Sequence, residues 1–122
     1  PNKANEVAVG EVVGDVRGRV CLLVDDMIDT AGTIAAAAHT LKEHGASAVI
    51  AAATHPILSG PAAERLNSAP FEEVIVTNTL PIPDGVNVPN LTTLSVAPLI
   101  AEAIRQIFED GSVTSLFRGA SL

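Results

Sequence analysis

Five side chains able to do chemistry fall within nine positions: Asp25, Asp26, Asp29, Thr30 and Thr33, with Ala31 and Gly32 between the two threonines. Carboxylates accept hydrogen bonds from vicinal hydroxyls and can hold Mg²⁺ directly or through water. The turn Thr30-Ala31-Gly32-Thr33 offers successive backbone N–H groups where a helical pattern begins. A helix start carries about half a positive charge, so these N–H groups make a small anion nest. Gly32 lets the backbone come close to a ligand, and Thr30 and Thr33 each add a hydroxyl donor. One ligand class suits both halves, a sugar with vicinal hydroxyls at one end and a phosphate at the other. Asp29 follows Asp25 by four residues and stands at the mouth of the nest. It is the candidate catalytic residue, placed to meet the sugar carbon that reacts.

On an extended segment Asp25 and Asp26 would point to opposite sides. At a strand end the chain turns, and both can face a cleft. For an isolated Asp-Asp pair, helix capping would be the better reading. Here strand, acidic pair, nest and helix occur together and in order. Neither a Walker A pattern nor a Rossmann glycine fingerprint is present.

These residues need a frame to hold them. The apolar run 19–24 predicts a central parallel strand covered on both faces. Residues 33–44 predict a helix in which Ile34, Ala37, Ala38 and Leu41 share a face and Gly45 ends it. A buried strand is expected over 48–53, after which Thr54-His55-Pro56 leaves the sheet. A short helix begins near Ser59-Gly60-Pro61, with Pro61 suited to its first turn. Strands are expected over 73–77 and 91–96, separated by the proline-bearing loop 78–89. An amphipathic helix is predicted over 97–109, with Leu99, Ile100, Ala103, Ile104, Ile107 and Phe108 on its apolar face. A looser alternation over 7–13 suggests an edge strand, and a last strand or turn is expected after Ser112. This alternation gives an α/β fold, a mostly parallel sheet flanked by helices, with ligands at the carboxyl ends of the strands.

The chain has 122 residues, 48% of them hydrophobic and 17% charged, which suits one globular domain with a real core. A net charge of −7 excludes a broad phosphate-backbone surface for nucleic acid. With no Trp, no Tyr and only Phe71, Phe108 and Phe117, base stacking is poorly supplied as well. No run is apolar enough to cross a bilayer, and no signal peptide is seen. The sole cysteine, Cys21, reads as an inert thiol in a strand, and the expected compartment is the cytoplasm. Pro1 is not an initiator Met, so a piece of a longer protein is expected.

His55 reads as structural, since no second ligand lies at metal spacing, and Ser59 reads as a helix cap. His39, His44, Arg17, Arg19 and Arg65 read as solvated.

The run Val24-Asp25-Asp26-Met27-Ile28-Asp29-Thr30-Ala31-Gly32-Thr33 resembles the phosphoribosyl-diphosphate motif of type I phosphoribosyltransferases. Its Asp-Asp-Met and Asp-Thr variant is similar to that of the ribose-phosphate diphosphokinase family. The resemblance extends to Ala53-Thr54-His55-Pro56-Ile57-Leu58-Ser59-Gly60-Pro61-Ala62, to Val76-Thr77-Asn78-Thr79-Leu80-Pro81, to Ala101-Glu102-Ala103-Ile104-Arg105 and to Gly111-Ser112-Val113-Thr114-Ser115-Leu116-Phe117. It therefore covers nearly the whole chain.

The resemblance implies transfer of a diphosphoryl group from Mg-ATP to the C1 hydroxyl of ribose 5-phosphate. By position, Asp25 and Asp26 would hold the ribose hydroxyls. Asp29, Thr30, Ala31, Gly32 and Thr33 would hold the 5-phosphate and the C1 end. It also implies that these 122 residues form the C-terminal domain of a two-domain enzyme. The other domain would supply most of the ATP site and the Mg²⁺ ligands, and a basic catalytic loop would lie just before Pro1. Lys3 does not match that loop's lysine. The chain alone is thus expected to be inactive, with no certain metal ligand of its own. The family forms hexamers, and Ser112, Thr114 and Phe117 match a tail that helps bind ADP and phosphate as effectors. Two alternatives stand beside this reading: a phosphoribosyltransferase that consumes the diphosphate, and a non-catalytic regulatory subunit that keeps the pocket.

Overall fold

The computed structural model describes residues 12–109. The order of elements is β1 (Val20–Ile28), α1 (Gly32–Glu43), β2 (Ala48–Pro56), α2 (Ala62–Ser68), β3 (Glu73–Thr77), β4 (Leu91–Leu94) and α3 (Ala97–Phe108). The four strands form one parallel sheet in the order β1-β2-β3-β4. This is the expected α/β architecture. The expected edge strand over 7–13 and the tail from Ser112 lie outside the described residues, save Val12 and Val13, which belong to no regular element.

One side of the sheet and two helices make the core. Val49, Ala51 and Ala53 of β2 and Val74 and Val76 of β3 are buried with Ile34, Ala35 and Ala38 of α1 and Ala62 and Leu66 of α2. The many alanines let α1 lie close on the strands. The C-terminus of α1 ends as the sequence predicts. Gly45 has φ 94°, Gly45 N–H donates to Lys42 O (3.0 Å) and Ala46 N–H donates to Leu41 O (3.0 Å). This is a Schellman closure. A side chain at position 45 would also meet Arg17 Cγ at 3.2 Å.

Three expectations are corrected. First, β1 is an edge strand among the described residues, with β2 and β3 inside the sheet. Its apolar run is not covered on both faces: Cys21 and Leu23 are half-buried, but Val20, Leu22 and Val24 are 64%, 59% and 72% exposed. A continuous apolar run is compatible with cover on both faces but does not say which neighbour supplies it. Second, β1 and β2 run on to Ile28 and Pro56, past the points where Asp25 and Thr54 were expected to leave the sheet. The register Met27↔His55 and Ile28↔Pro56 keeps the strands together there. Third, the apolar stripe of α3 is left uncovered among the described residues. Leu99, Ile100, Ile104, Ile107 and Phe108 are all exposed, and no residue of α3 is buried.

Helix α3 instead carries a surface ion-pair ladder. Arg105 is bonded to Glu102 and donates through Nη1 to Glu109 Oε1 (2.7 Å). The hydrogen bond from Arg105 holds the Glu102 carboxyl well below its ordinary 4.5, at about 2. The same bond raises the Arg105 guanidinium. A carboxylate with a depressed folded value stabilises the fold above its unfolded value and loses that contribution as pH falls through the folded one. Helicity over 102–109 is therefore expected to hold from pH 7 to 5 and to fall between about pH 4.5 and 2. Half-exposed pairs are screened, so 1 M salt at neutral pH should weaken the same segment slightly. Backbone chemical shifts along the titration check this; a segment unchanged down to pH 2 would refute it.

Candidate functional site

The cleft at the carboxyl end of β1 is lined by Asp25, Asp29, Thr30, Ala31, Gly32 and Thr33, together with Met27, Ile28 and Ile34. It is a shallow cleft, open to solvent. Six of the seven residues singled out for sugar-phosphate chemistry thus come together. Asp26 does not line the cleft. Because β1 stays extended through both aspartates, the pair does not turn into the cleft as one. Asp26 N–H donates to Asp25 Oδ1 (2.8 Å), which fixes one oxygen of that carboxylate.

The nest is built by Ala31, not by Gly32. Ala31 sits in the left-handed region at φ 65° and ψ 12° and is 5% exposed, whereas Gly32 is simply the first residue of α1. The left-handed turn at Ala31 swings the chain from strand into helix. Its carbonyl accepts the first helical bond, from Ala35 N–H (3.0 Å). No side chain caps α1, and no acidic residue stands in its first turn. The first N–H groups of this twelve-residue helix are left for a ligand, and the helix dipole favours an anion there.

The next β–α connection closes over the same spot. Leu58 N–H donates to Ile28 O (2.9 Å), and Ser59 N–H donates to Asp29 O (2.9 Å). Ser59 Oγ donates to Asp29 Oδ1. Arg65 Nη1 reaches Thr30 O (3.3 Å). Sequence reasoning missed these contacts. Ser59 was expected to cap α2, but that helix has no side-chain cap, and Arg65 is not merely solvated. Nothing local signals either bond, since their partners lie 30 and 35 positions away.

His55 lies within β2 rather than in a loop. Its Nδ1 is hydrogen-bonded to Thr79 Oγ1 (2.8 Å), and the Thr79 hydroxyl also lies within reach of Thr54 O (3.3 Å). Among the described residues no three His, Cys, Asp or Glu side chains gather as a metal cage. Of the three site aspartates only Asp25 and Asp29 line the cleft, and a largely hydrated Mg²⁺ would need no more than one or two carboxylates beside phosphate oxygens. Cys21 is half-buried, and His39 and His44 are exposed. Among the described residues no helix is long and apolar enough to cross a membrane. Ser112, Thr114 and Phe117 lie outside the described residues.

Comparison with known proteins gives a consistent result. Residues 3–118 match the phosphoribosyl synthetase-associated domain. The chain is 61% identical over 114 residues to a ribose-phosphate pyrophosphokinase of Streptomyces avermitilis, covering 93% of the chain and 35% of that protein. It is 59% identical over 119 residues to that of Mycobacterium tuberculosis, covering 98% of the chain and 36% of the relative. The fold matches the crystal structure of phosphoribosylpyrophosphate synthetase from Mycobacterium smegmatis with a TM-score of 0.75 at 58% identity, over 81% of this chain and 33% of that one. The chain therefore spans about a third of the length of these relatives.

Proposed function

The chain belongs to the phosphoribosyl synthetase-associated domain family, and from that premise we propose that it supplies the ribose 5-phosphate site of a ribose-phosphate diphosphokinase. The observation that carries this reading is the shared cleft: Asp25 and Asp29 line it together with the uncapped start of α1. The 5-phosphate binds the N–H groups that follow Ala31, with the Thr30 and Thr33 hydroxyls beside it. Asp25 accepts hydrogen bonds from the ribose hydroxyls, and Asp26 assists by donating its N–H to Asp25 Oδ1. Asp29 accepts the hydrogen bond of the C1 hydroxyl.

In the reaction the C1 oxygen bonds to the β-phosphorus of ATP, the bond from that phosphorus to the α-phosphate oxygen breaks, AMP leaves and the hydroxyl proton is released. Mg²⁺, bound with ATP, neutralises charge on the phosphates. The rest of the work is positioning, as in other phosphoryl-type transfers.

In this reading the 122 residues form the C-terminal, sugar-phosphate-binding part of a two-domain enzyme. The remainder supplies ATP binding and the basic catalytic loop. The enzyme is a cytoplasmic homo-hexamer, and the tail with Ser112, Thr114 and Phe117 contributes to an effector site for ADP and phosphate.

Calorimetric titration of the intact protein with ribose 5-phosphate and Mg²⁺ tests the site. Saturable binding is expected, weakened by about 10- to 100-fold in Asp25→Asn, the worth of hydrogen bonds to a charged acceptor. Equal affinity in the two proteins would remove Asp25 from the site. The 122-residue chain alone is expected to form no diphosphate product from ATP and ribose 5-phosphate above a blank.

A further inference from the structure

We infer that Ser59 is a positioning residue for Asp29, delivered there by the strained connection between β2 and α2. The inference rests on the reading of Asp29 given above.

Asp29 is gripped at two points by one residue. Its carbonyl accepts from Ser59 N–H at 2.9 Å, and its carboxylate accepts from the Ser59 hydroxyl. A bond from a hydroxyl to a carboxylate is charge-assisted and directional. With Oδ1 engaged, Oδ2 is the oxygen left to meet a ligand, and the carboxylate cannot swing freely about its last torsion. On the exposed mouth of a cleft such a side chain would otherwise sample several rotamers.

The connection is arranged around this contact. Leu58 takes φ 53°, in the left-handed region that a leucine side chain disfavours, yet it is only 2% exposed. Its buried side chain and its N–H bond to Ile28 O hold that conformation. Strain of this kind persists where the surroundings over-determine it. Here the turn places the next residue, Ser59, directly over Asp29. The hydroxyl is not used locally: α2 lacks a side-chain cap, and only the Ser59 carbonyl serves its first turn, accepting from Ala62 N–H (3.2 Å). Arg65, one turn into α2, bonds Thr30 O. Three consecutive residues, Ile28, Asp29 and Thr30, are thus tied to a single neighbouring segment.

The test uses steady-state kinetics of the intact protein with Ser59→Ala, Ser59→Thr, Asp29→Asn and the Ser59→Ala/Asp29→Asn double variant. Ser59→Ala is expected to lower kcat about 10-fold while KM for ribose 5-phosphate changes less than about 2-fold, because orientation and not binding is lost. Ser59→Thr, which keeps the hydroxyl, is expected to recover most of that loss. The double variant is expected to be no slower than Asp29→Asn alone, since the two residues act as one unit. Wild-type kcat in Ser59→Ala beside an impaired Asp29→Asn overturns the positioning role and leaves Asp29 in place. Losses that multiply in the double variant overturn it too. Wild-type turnover in Asp29→Asn overturns the reading of Asp29, and the inference with it. Thermal melts of all four proteins accompany the kinetics. Ser59 is exposed, so a folding defect is not expected to contribute.

Discussion

Asp29→Asn is expected to lower kcat for diphosphate transfer about 100-fold and to leave KM for ribose 5-phosphate within a factor of about three. The variant keeps the shape of the side chain and keeps an oxygen for the Ser59 hydroxyl to bond, so the loop contact survives. What changes, on the proposed reading, is the group offered to the sugar. A carboxylate accepts a hydrogen bond from the C1 hydroxyl as its oxygen becomes a nucleophile, and it gains interaction as that proton departs. The amide, bonded to Ser59 through its oxygen, offers N–H donors instead. A loss confined to the transition state appears in kcat, whereas a loss of ground-state grip appears in KM. A variant with unchanged kcat and a raised KM would make Asp29 a binding group only.

The second large effect belongs to Ala31→Val. Ala31 is at φ 65° and 5% exposed, so the position is both left-handed and closed. A β-branched side chain is a genuine outlier at positive φ. Alanine already carries the general left-handed cost, so the variant adds only the β-branch and its extra methyl groups, which in a packed site cost about 1–3 kcal/mol. The variant should lose roughly 2 kcal/mol of stability, a fall in Tm of about 6–12 °C for a domain of this size. On the proposed reading it should also bind the sugar phosphate more weakly, because the N–H groups after Ala31 depend on this turn. Ala31→Gly accepts the same φ without strain and is expected to melt within a few degrees of the wild type. Thermal unfolding of the two variants, paired with the sugar-phosphate titration, separates conformation from side-chain volume. An Ala31→Val protein as stable as the wild type would falsify the account of the nest.

The elements were legible in the sequence because their signals are local. Residues 73–77 form a strand as predicted, and α1 and α3 end within a residue of their expected limits. The composition of the cleft was legible as well, since Asp25, Asp29 and residues 30–33 are near neighbours in the chain. Three features were not. Asp25, Asp26, Thr54, His55 and Pro56 include poor strand formers, so the extended ends of β1 and β2 were hidden by propensity, and pairing between the strands overrode it. Gly32 was read as the residue that lets the backbone approach a ligand, and nothing in the sequence marks its neighbour Ala31 as the left-handed one. Coverage of a face is a property of neighbours, so the apolar stripes of β1 and α3 could not announce that they stay exposed among the described residues.

The bond between Ser59 and Asp29 also bears on the order in which the site is assembled during folding. The nest needs only residues 30–35, which close a single helical turn. The carboxylate above it is fixed by a partner 30 positions later, reached only after β2 has paired with β1 and the chain has reversed at Leu58. Loop-closure entropy must be met before that contact returns anything, so the helix-start end of the cleft forms early and the Asp29 end forms late. A ligand that touches both ends selects the fully folded chain over partly folded ones. Its binding then reports completion of the fold, with added stability that grows as the logarithm of its concentration.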